Sequence, residues 1–230
     1  MEILLPKRND SAQTEKLSSR TVTVVGANGA GKSRFGVEIA RRIQDHAFWL
    51  SAQKALCIMP PHEVWPGSIE AMYRDAMEHS HYVSREIPTE FDQLLFLLLS
   101  EECRNLFEYK FKTPRGERGN FPETRFDRVQ KLWERVFPRN KMLRAEGRLL
   151  IQNENSEPFN PLRLSSGEKA VLYYIAGVLF AMPNAVILVE DPEFYLHHSI
   201  MKSLWDSIES LRKDCTFVYL THDLDFAASR

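Results

Sequence analysis

Apolar runs of strand length that alternate with helical stretches predict an α/β fold, a mainly parallel sheet flanked by helices. Three observations carry this prediction. Arg20–Val25 ("RTVTVV"), Ala185–Val189 and Thr216–Leu220 are continuous β-branched, aliphatic or aromatic runs, the pattern of strands buried on both faces. Stretches of helical character, Lys32–Gln44 and His198–Lys213, follow the first two of them. Prolines gather between Pro60 and Pro138 and set the middle of the chain apart.

Taken in order, Arg20–Val25 is a buried strand, a glycine loop follows, Lys32–Gln44 is a helix and Ala47–Leu50 a short second strand. From about residue 60 to residue 150 we expect a helical insertion with pieces at Ser68–His79, Pro88–Phe107 and Arg125–Phe137. The run Asp92–Leu99 is apolar enough to be buried or packed on a partner. Lys112–Glu123 ("KTPRGERGNFPE") reads as an exposed loop, and Arg148–Gln152 as a strand ended by the polar turn "NENSEP". After Gly167 comes a helix with Leu172, Ile175, Ala176 and Leu179 on one side. The strand Ala185–Val189, the helix His198–Lys213 and the strand Thr216–Leu220 complete a single domain over residues 1–230. The chain stops a few residues past a strand, which reads as the N-terminal part of a longer protein.

The bulk composition narrows the class. With 43% hydrophobic and 27% charged residues the chain resembles an ordinary globular protein. A net charge of -1 argues against a globally basic nucleic-acid binder. The three cysteines are scattered and form no CxxC pair, so a disulfide framework or zinc site is disfavoured and a cytoplasmic setting fits. The longest apolar stretch, Ala170–Met182, is too short to span a bilayer and reads as a buried helix.

The stretch Gly26–Ser33, "GANGAGKS", satisfies G-x-x-x-x-G-K-[ST] between a buried strand and a helix. Glycines let backbone N–H groups turn inward around phosphate oxygens, where a Cβ would obstruct them. Gly26, Asn28, Gly29, Ala30, Gly31, Lys32, Ser33 and Arg34 are therefore candidate nucleotide-binding residues. Lys32 would reach the β- and γ-phosphates, and the Ser33 hydroxyl would ligate Mg²⁺. ATP and Mg²⁺ are the implied cofactors. The strand "VILV" then runs into Glu190 and Asp191, with Glu193 after the proline. Glu190 is the candidate Mg²⁺ residue and Asp191 the candidate general base.

Leu164–Glu168, "LSSGE", begins a helix. By itself it could be an N-cap with Ser165 or Ser166 capping and Glu168 in the first turn. Thr221-His222 follows the last strand. "GANGAGKS", "LSSGE", the acidic strand end and "THD" stand in the order found in ABC-type ATPases, and the chain resembles that family, nearest to its SMC and DNA-repair branch. The resemblance implies two heads that sandwich two ATP molecules. Ser165, Ser166, Gly167 and Glu168 would then face the partner's γ-phosphate in trans, with the helix N-terminus as the anion site. His222 would hydrogen-bond the γ-phosphate on its own head. Gln53, in "LSAQK", is the candidate glutamine that senses Mg²⁺ and the attacking water.

"EDPEFYLHHS" is similar to the "[DE]-E-P-E-x-x-L-H-P" element of OLD-type ATPases, and "SAQK" also resembles that group and the ATPases of PARIS-type defence systems. The resemblance implies partners: a homodimer or higher oligomer, a TOPRIM-like nuclease domain or effector, and a DNA or phage-protein trigger, with no membrane. Asp191 stands where that family has Glu, and His198 replaces its proline. A shorter base predicts slow hydrolysis and a long-lived ATP-bound assembly. An ATP-locked scaffold that holds and releases a partner is the alternative, and a transporter subunit fits less well. "DLD" at Asp223–Asp225 superficially copies a TOPRIM D-x-D, and "EHSHY" at Glu78–Tyr82 is a poor metal signal. Basic residues outnumber acidic ones from Arg104 to Arg148, with Phe111, Phe121, Phe126 and Trp133 interleaved. This is either a docking face for nucleic acid or acidic protein, or an ordinary solvated helical face.

Overall fold

The computed structural model describes residues 3–4, 16–17, 19–56, 89–112, 121–145, 148–154 and 156–230. The expected helix Ser68–His79, the "EHSHY" stretch and most of the Lys112–Glu123 loop lie outside them.

Four parallel strands build the central sheet: β3 (Thr21–Val25), β4 (Ala47–Leu50), β7 (Val186–Glu190) and β8 (Thr216–Thr221), in the spatial order β3-β8-β7-β4. Val24 pairs with Leu220, Leu188 with Val218, and Trp49 with Leu188. Two short strands near the start, β1 (Ile3–Leu4) and β2 (Lys16–Leu17), pair antiparallel. An antiparallel hairpin, β5 (Asn140–Ala145) with β6 (Arg148–Asn153), closes the expected insertion, so its last part is β-structure rather than helix.

Helix α1 (Lys32–Ile43) covers one face of the sheet. Ile39 and Ile43 pack there on Val186, Leu188, Val218 and Leu220. Gly36 is required by that packing, because a Cβ would meet Leu220 and Trp49 side-chain carbons at 2.7 Å. The other face packs Ile187, Val189, Phe217 and Tyr219 against α5 (Ser166–Phe180) and α6 (His198–Leu211). Every residue of α5 from Ala170 to Leu179 is buried, as its unbroken apolar run predicts. Among the described residues no helix is long and apolar enough to cross a membrane.

The remaining helices are α2 (Ala52–Ala55), α3 (Glu90–Lys112), α4 (Arg125–Val136) and α7 (Leu224–Ala228). A capping box starts α4: Asp127 N–H donates to the Thr124 hydroxyl, and Thr124 N–H donates to the Asp127 carboxylate. Phe126, Val129 and Trp133 on the inner face of α4 join the core.

Part of the basic stretch is paired within the chain. Arg125 pairs with Glu101, Arg128 and Lys131 with Glu123, Lys141 with Glu134, and Arg144 with Glu102 and Asp127. Arg115 and Arg118 lie outside the described residues.

Candidate nucleotide site

The carboxyl ends of all four parallel strands supply the candidate site residues, the usual position of a ligand crevice in an open α/β sheet. The loop after β3 is Gly26–Gly31. It is anchored by Gly26 N–H donating to Thr221 O at 3.2 Å. Gly29 and Gly31 hold φ of 81° and 93°, where a side chain would be strained. Among the described residues nothing lies within 4 Å of where their Cβ atoms would be, so the loop is an open cradle. Lys32 folds back into it, donating to Gly26 O at 2.8 Å and Ala27 O at 3.3 Å. Asn28, Ala30 and Arg34 lie exposed on or beside this loop.

Strand alternation decides where Glu190 goes. Val186 and Leu188 face α1, so Glu190, two residues on, faces it as well. It meets the first turn of α1, where the Ser33 hydroxyl donates to Glu190 Oε1. The other carboxylate oxygen, Oε2, accepts from Lys54 Nζ at 2.6 Å. Burial pushes the Glu190 carboxyl up, but the hydrogen bonds from Lys54 and Ser33 outweigh it and hold it below the usual carboxylate range. A hydroxyl and a carboxylate oxygen converging at the mouth of a phosphate loop are the hard donors Mg²⁺ takes, so these residues fit that ion.

Asp191 leaves the strand in the left-handed region, with φ 45°. Its N–H donates to Leu220 O at 2.9 Å, and its carbonyl accepts from Tyr174 Oη at 3.4 Å. The loop that follows is pinned by the Trp205 indole donating to Pro192 O at 3.2 Å. Asp191 and Glu193 both turn their carboxylates toward His222, at the end of β8. His222 Nδ1 lies 3.3 Å from Asp191 Oδ1 and 3.1 Å from Glu193 Oε1. Ionised carboxylates only accept, so the Nδ1–H tautomer is selected and Nε2 is left for another partner. Glu193 Oε1 also accepts from Thr221 Oγ1 at 2.7 Å, while its Oε2 is buried without a partner among the described residues. One nitrogen or oxygen from each of Asp191, Glu193 and His222 lies within 4.8 Å of the other two.

The "LSSGE" segment does form an N-cap. Ser165 caps α5, Glu168 N–H donates to its hydroxyl at 3.3 Å, and Glu168 Oε2 accepts from Ser165 N–H at 2.9 Å and Oγ at 2.7 Å. Asn140 Nδ2 donates to the other Glu168 oxygen at 2.9 Å. Ser165 and Ser166 are exposed, so the cap also presents the helix N-terminus outward. Gly167 packs against the loop after the acids: a Cβ there would come within 2.9 Å of Tyr195 O, and Tyr195 itself sits at φ 64°.

Gln53 is exposed and makes no side-chain hydrogen bond among the described residues. Its neighbour Lys54 is the residue of "SAQK" that arrives at Glu190. Lys54 and Glu193 are the two contributors the sequence reading did not assign. The signal for Lys54 was a cation one turn after a strand that ends beside the acidic strand; for Glu193 it was an acid two residues past Asp191. Asp223 caps α7 through Phe226 N–H, a structural use of the residue that begins the D-x-D pattern.

No curated protein matches the chain. Among solved structures it is similar to an SmcHead bound to the C-winged helix domain of ScpA, at 14% identity and TM-score 0.39 over 61% of this chain and 43% of that one. It therefore spans less than half of that relative. It is also similar to a "Putative ABC transporter (ATP-binding protein)" from Pyrococcus furiosus, at 14% identity and TM-score 0.46 over 96% and 90% of the two chains. A third likeness is to a dimeric ATP-binding cassette in a post-hydrolysis state with ADP and Pi, at 13% identity and TM-score 0.43 over 99% and 88%. These are distant likenesses. The family described as "AAA domain, putative AbiEii toxin, Type IV TA system" matches residues 78–227, well over half of the chain, and the chain belongs to that family.

Proposed function

We propose that the chain is a Mg²⁺-dependent ATPase head of the ABC type that closes on ATP as a two-headed assembly. The observation that carries this reading is the meeting of Ser33 and Glu190, 157 residues apart in sequence, at the mouth of an open glycine cradle that holds Lys32. The cradle amides and Lys32 would bind the phosphates, with Ser33 and Glu190 holding the metal. Mg²⁺, when bound, neutralises phosphate charge. Asp191 would take the proton of the attacking water. His222, held through Nδ1, would present Nε2 to the γ-phosphate, with Glu193 as the carboxylate that orients it. The exposed N-terminus of α5, with Ser165, Ser166 and Gly167, would face the partner's nucleotide, using first-turn amides that have no intrahelical acceptor.

A second reading, an ATP-locked scaffold, is favoured by one observation. Asp191 lies at an unfavourable φ with its carboxylate facing His222, and Asp is one methylene shorter than Glu. Both readings suit a head that regulates a TOPRIM-like nuclease or another effector in anti-phage defence. That role rests on the resemblance of "EDPEFYLHHS" to OLD-type ATPases and on the toxin named in the family's description. Comparing ATP turnover and ATP-dependent assembly of wild type and Asp191→Asn separates the readings. Loss of turnover with retained assembly supports the ATPase. Absence of wild-type turnover under every partner condition supports the scaffold, and wild-type turnover above about 10 s⁻¹ without a partner overturns the expectation of a slow site.

A further inference from the structure

We infer that Lys54 is a built-in counter-ion that stands in the metal's place on Glu190 and must be displaced before Mg²⁺ binds. This rests on the nucleotide-site reading above and adds a residue that sets its metal requirement.

Glu190 ends β7 with both carboxylate oxygens engaged. The carboxylate is only 8% exposed, and such a charge needs compensation. One oxygen takes the Ser33 hydroxyl and the other the Lys54 ammonium at 2.6 Å. Ser33 and Glu190 are also the donors that fit a divalent cation, so the ammonium and the metal compete for the same carboxylate. Lys54 is well placed to yield. Its side chain is 60% exposed, and it sits on α2, a single turn at the end of β4. Its ammonium also lies 5.8 Å from the Trp49 ring centroid, a second contact at the same strand end. A lysine, with its long flexible stem and single point charge, can leave a carboxylate with little rearrangement.

The inference predicts that removing the lysine makes metal binding easier. The probe is Mn²⁺ titrated onto the whole chain with a non-hydrolysable ATP analogue and followed by electron paramagnetic resonance, for wild type, Lys54→Met and Lys54→Arg. Lys54→Met should lower the Mn²⁺ concentration at half-saturation about five-fold, the size of one partly exposed ion pair. Lys54→Arg keeps the competing charge and should stay near wild type. An unchanged or raised half-saturation in Lys54→Met overturns the inference. So does a fall in that variant's affinity for the analogue in EDTA, which would make Lys54 a phosphate ligand. If wild type and Lys54→Met both bind the analogue in EDTA but neither takes up Mn²⁺, the placeholder role is overturned while nucleotide binding stands. If neither binds the analogue at all, the nucleotide-site reading falls and the inference with it.

Discussion

At Glu193 a carboxylate with 10% of its surface exposed carries three donors on one oxygen and none on the other. A buried carboxylate so unevenly satisfied adds little to stability, whereas its grip on His222 fixes the ring's tautomer and direction. Glu193→Gln keeps an acceptor for Thr221 but weakens the hold on the imidazole. We expect ATP turnover to fall about ten- to a hundred-fold with KM little changed, and His222→Ala to make the Glu193→Gln change nearly silent. Equal, additive losses in a double-mutant cycle would show that the two residues act separately. Gly167 makes a contrasting case. Its Cβ has no room before Tyr195 O, so Gly167→Ala should cost stability even without nucleotide, by about 1–3 kcal/mol, measurable as a lower urea midpoint.

At the scale of elements, Arg212 ties the end of α5 to the start of β8. Its guanidinium donates to Val178 O at 2.5 Å, Ala181 O at 2.9 Å and Met182 O at 2.8 Å, and it pairs with Asp214 at 2.9 Å. Val178 O is one of the last-turn carbonyls a helix end leaves without an intrahelical partner, and Ala181 and Met182 lie in the turn that follows. Arg212→Met should destabilise the fold by about 3 kcal/mol in urea unfolding. The Arg212 guanidinium holds the Asp214 carboxyl well below the usual carboxylate range. A depressed folded pKa contributes stability that is complete above the unfolded value, about pH 3.9, and is lost as pH falls toward the folded value. The difference in melting temperature between wild type and Asp214→Asn should therefore be largest near neutral pH and shrink as the solution is acidified below about pH 4.

The same element shows why part of the molecule was legible in sequence and part was not. The strand "VILVE" and helix α5 announce themselves because they are buried and carry no polar alternation, whereas "TVTVV", expected as a buried strand, is only half-buried and ends at an exposed Val25, because it lies at the end of the strand order β3-β8-β7-β4. The cradle is legible because its chemistry is contiguous, from Gly26 to Ser33. Strand β5, "NKMLRA", is half-exposed, and its two charges stand three residues apart, a helical rather than a strand spacing that hides it beside a helical stretch. Lys54, Glu193 and Arg212 act across gaps of 136, 29 and 34 residues, on Glu190, His222 N–H and Val178 O. No local pattern encodes such distances. At "SAQK" the glutamine drew attention while the following lysine made the contact.

For the whole molecule, the order β3-β8-β7-β4 brings the glycine loop, Lys54, Glu190 and His222 from four strand ends to one edge of the sheet. The cap that starts α5 stands exposed, where the proposed second copy would meet it. In the proposed assembly this site is completed in trans. The molar mass in solution of Asp191→Asn with saturating Mg²⁺-ATP, measured by light scattering, checks this. It should be twice the mass seen without nucleotide, and should return to the single mass when Ser165→Arg is added. A mass that ignores ATP, or a doubling that survives Ser165→Arg, would contradict it.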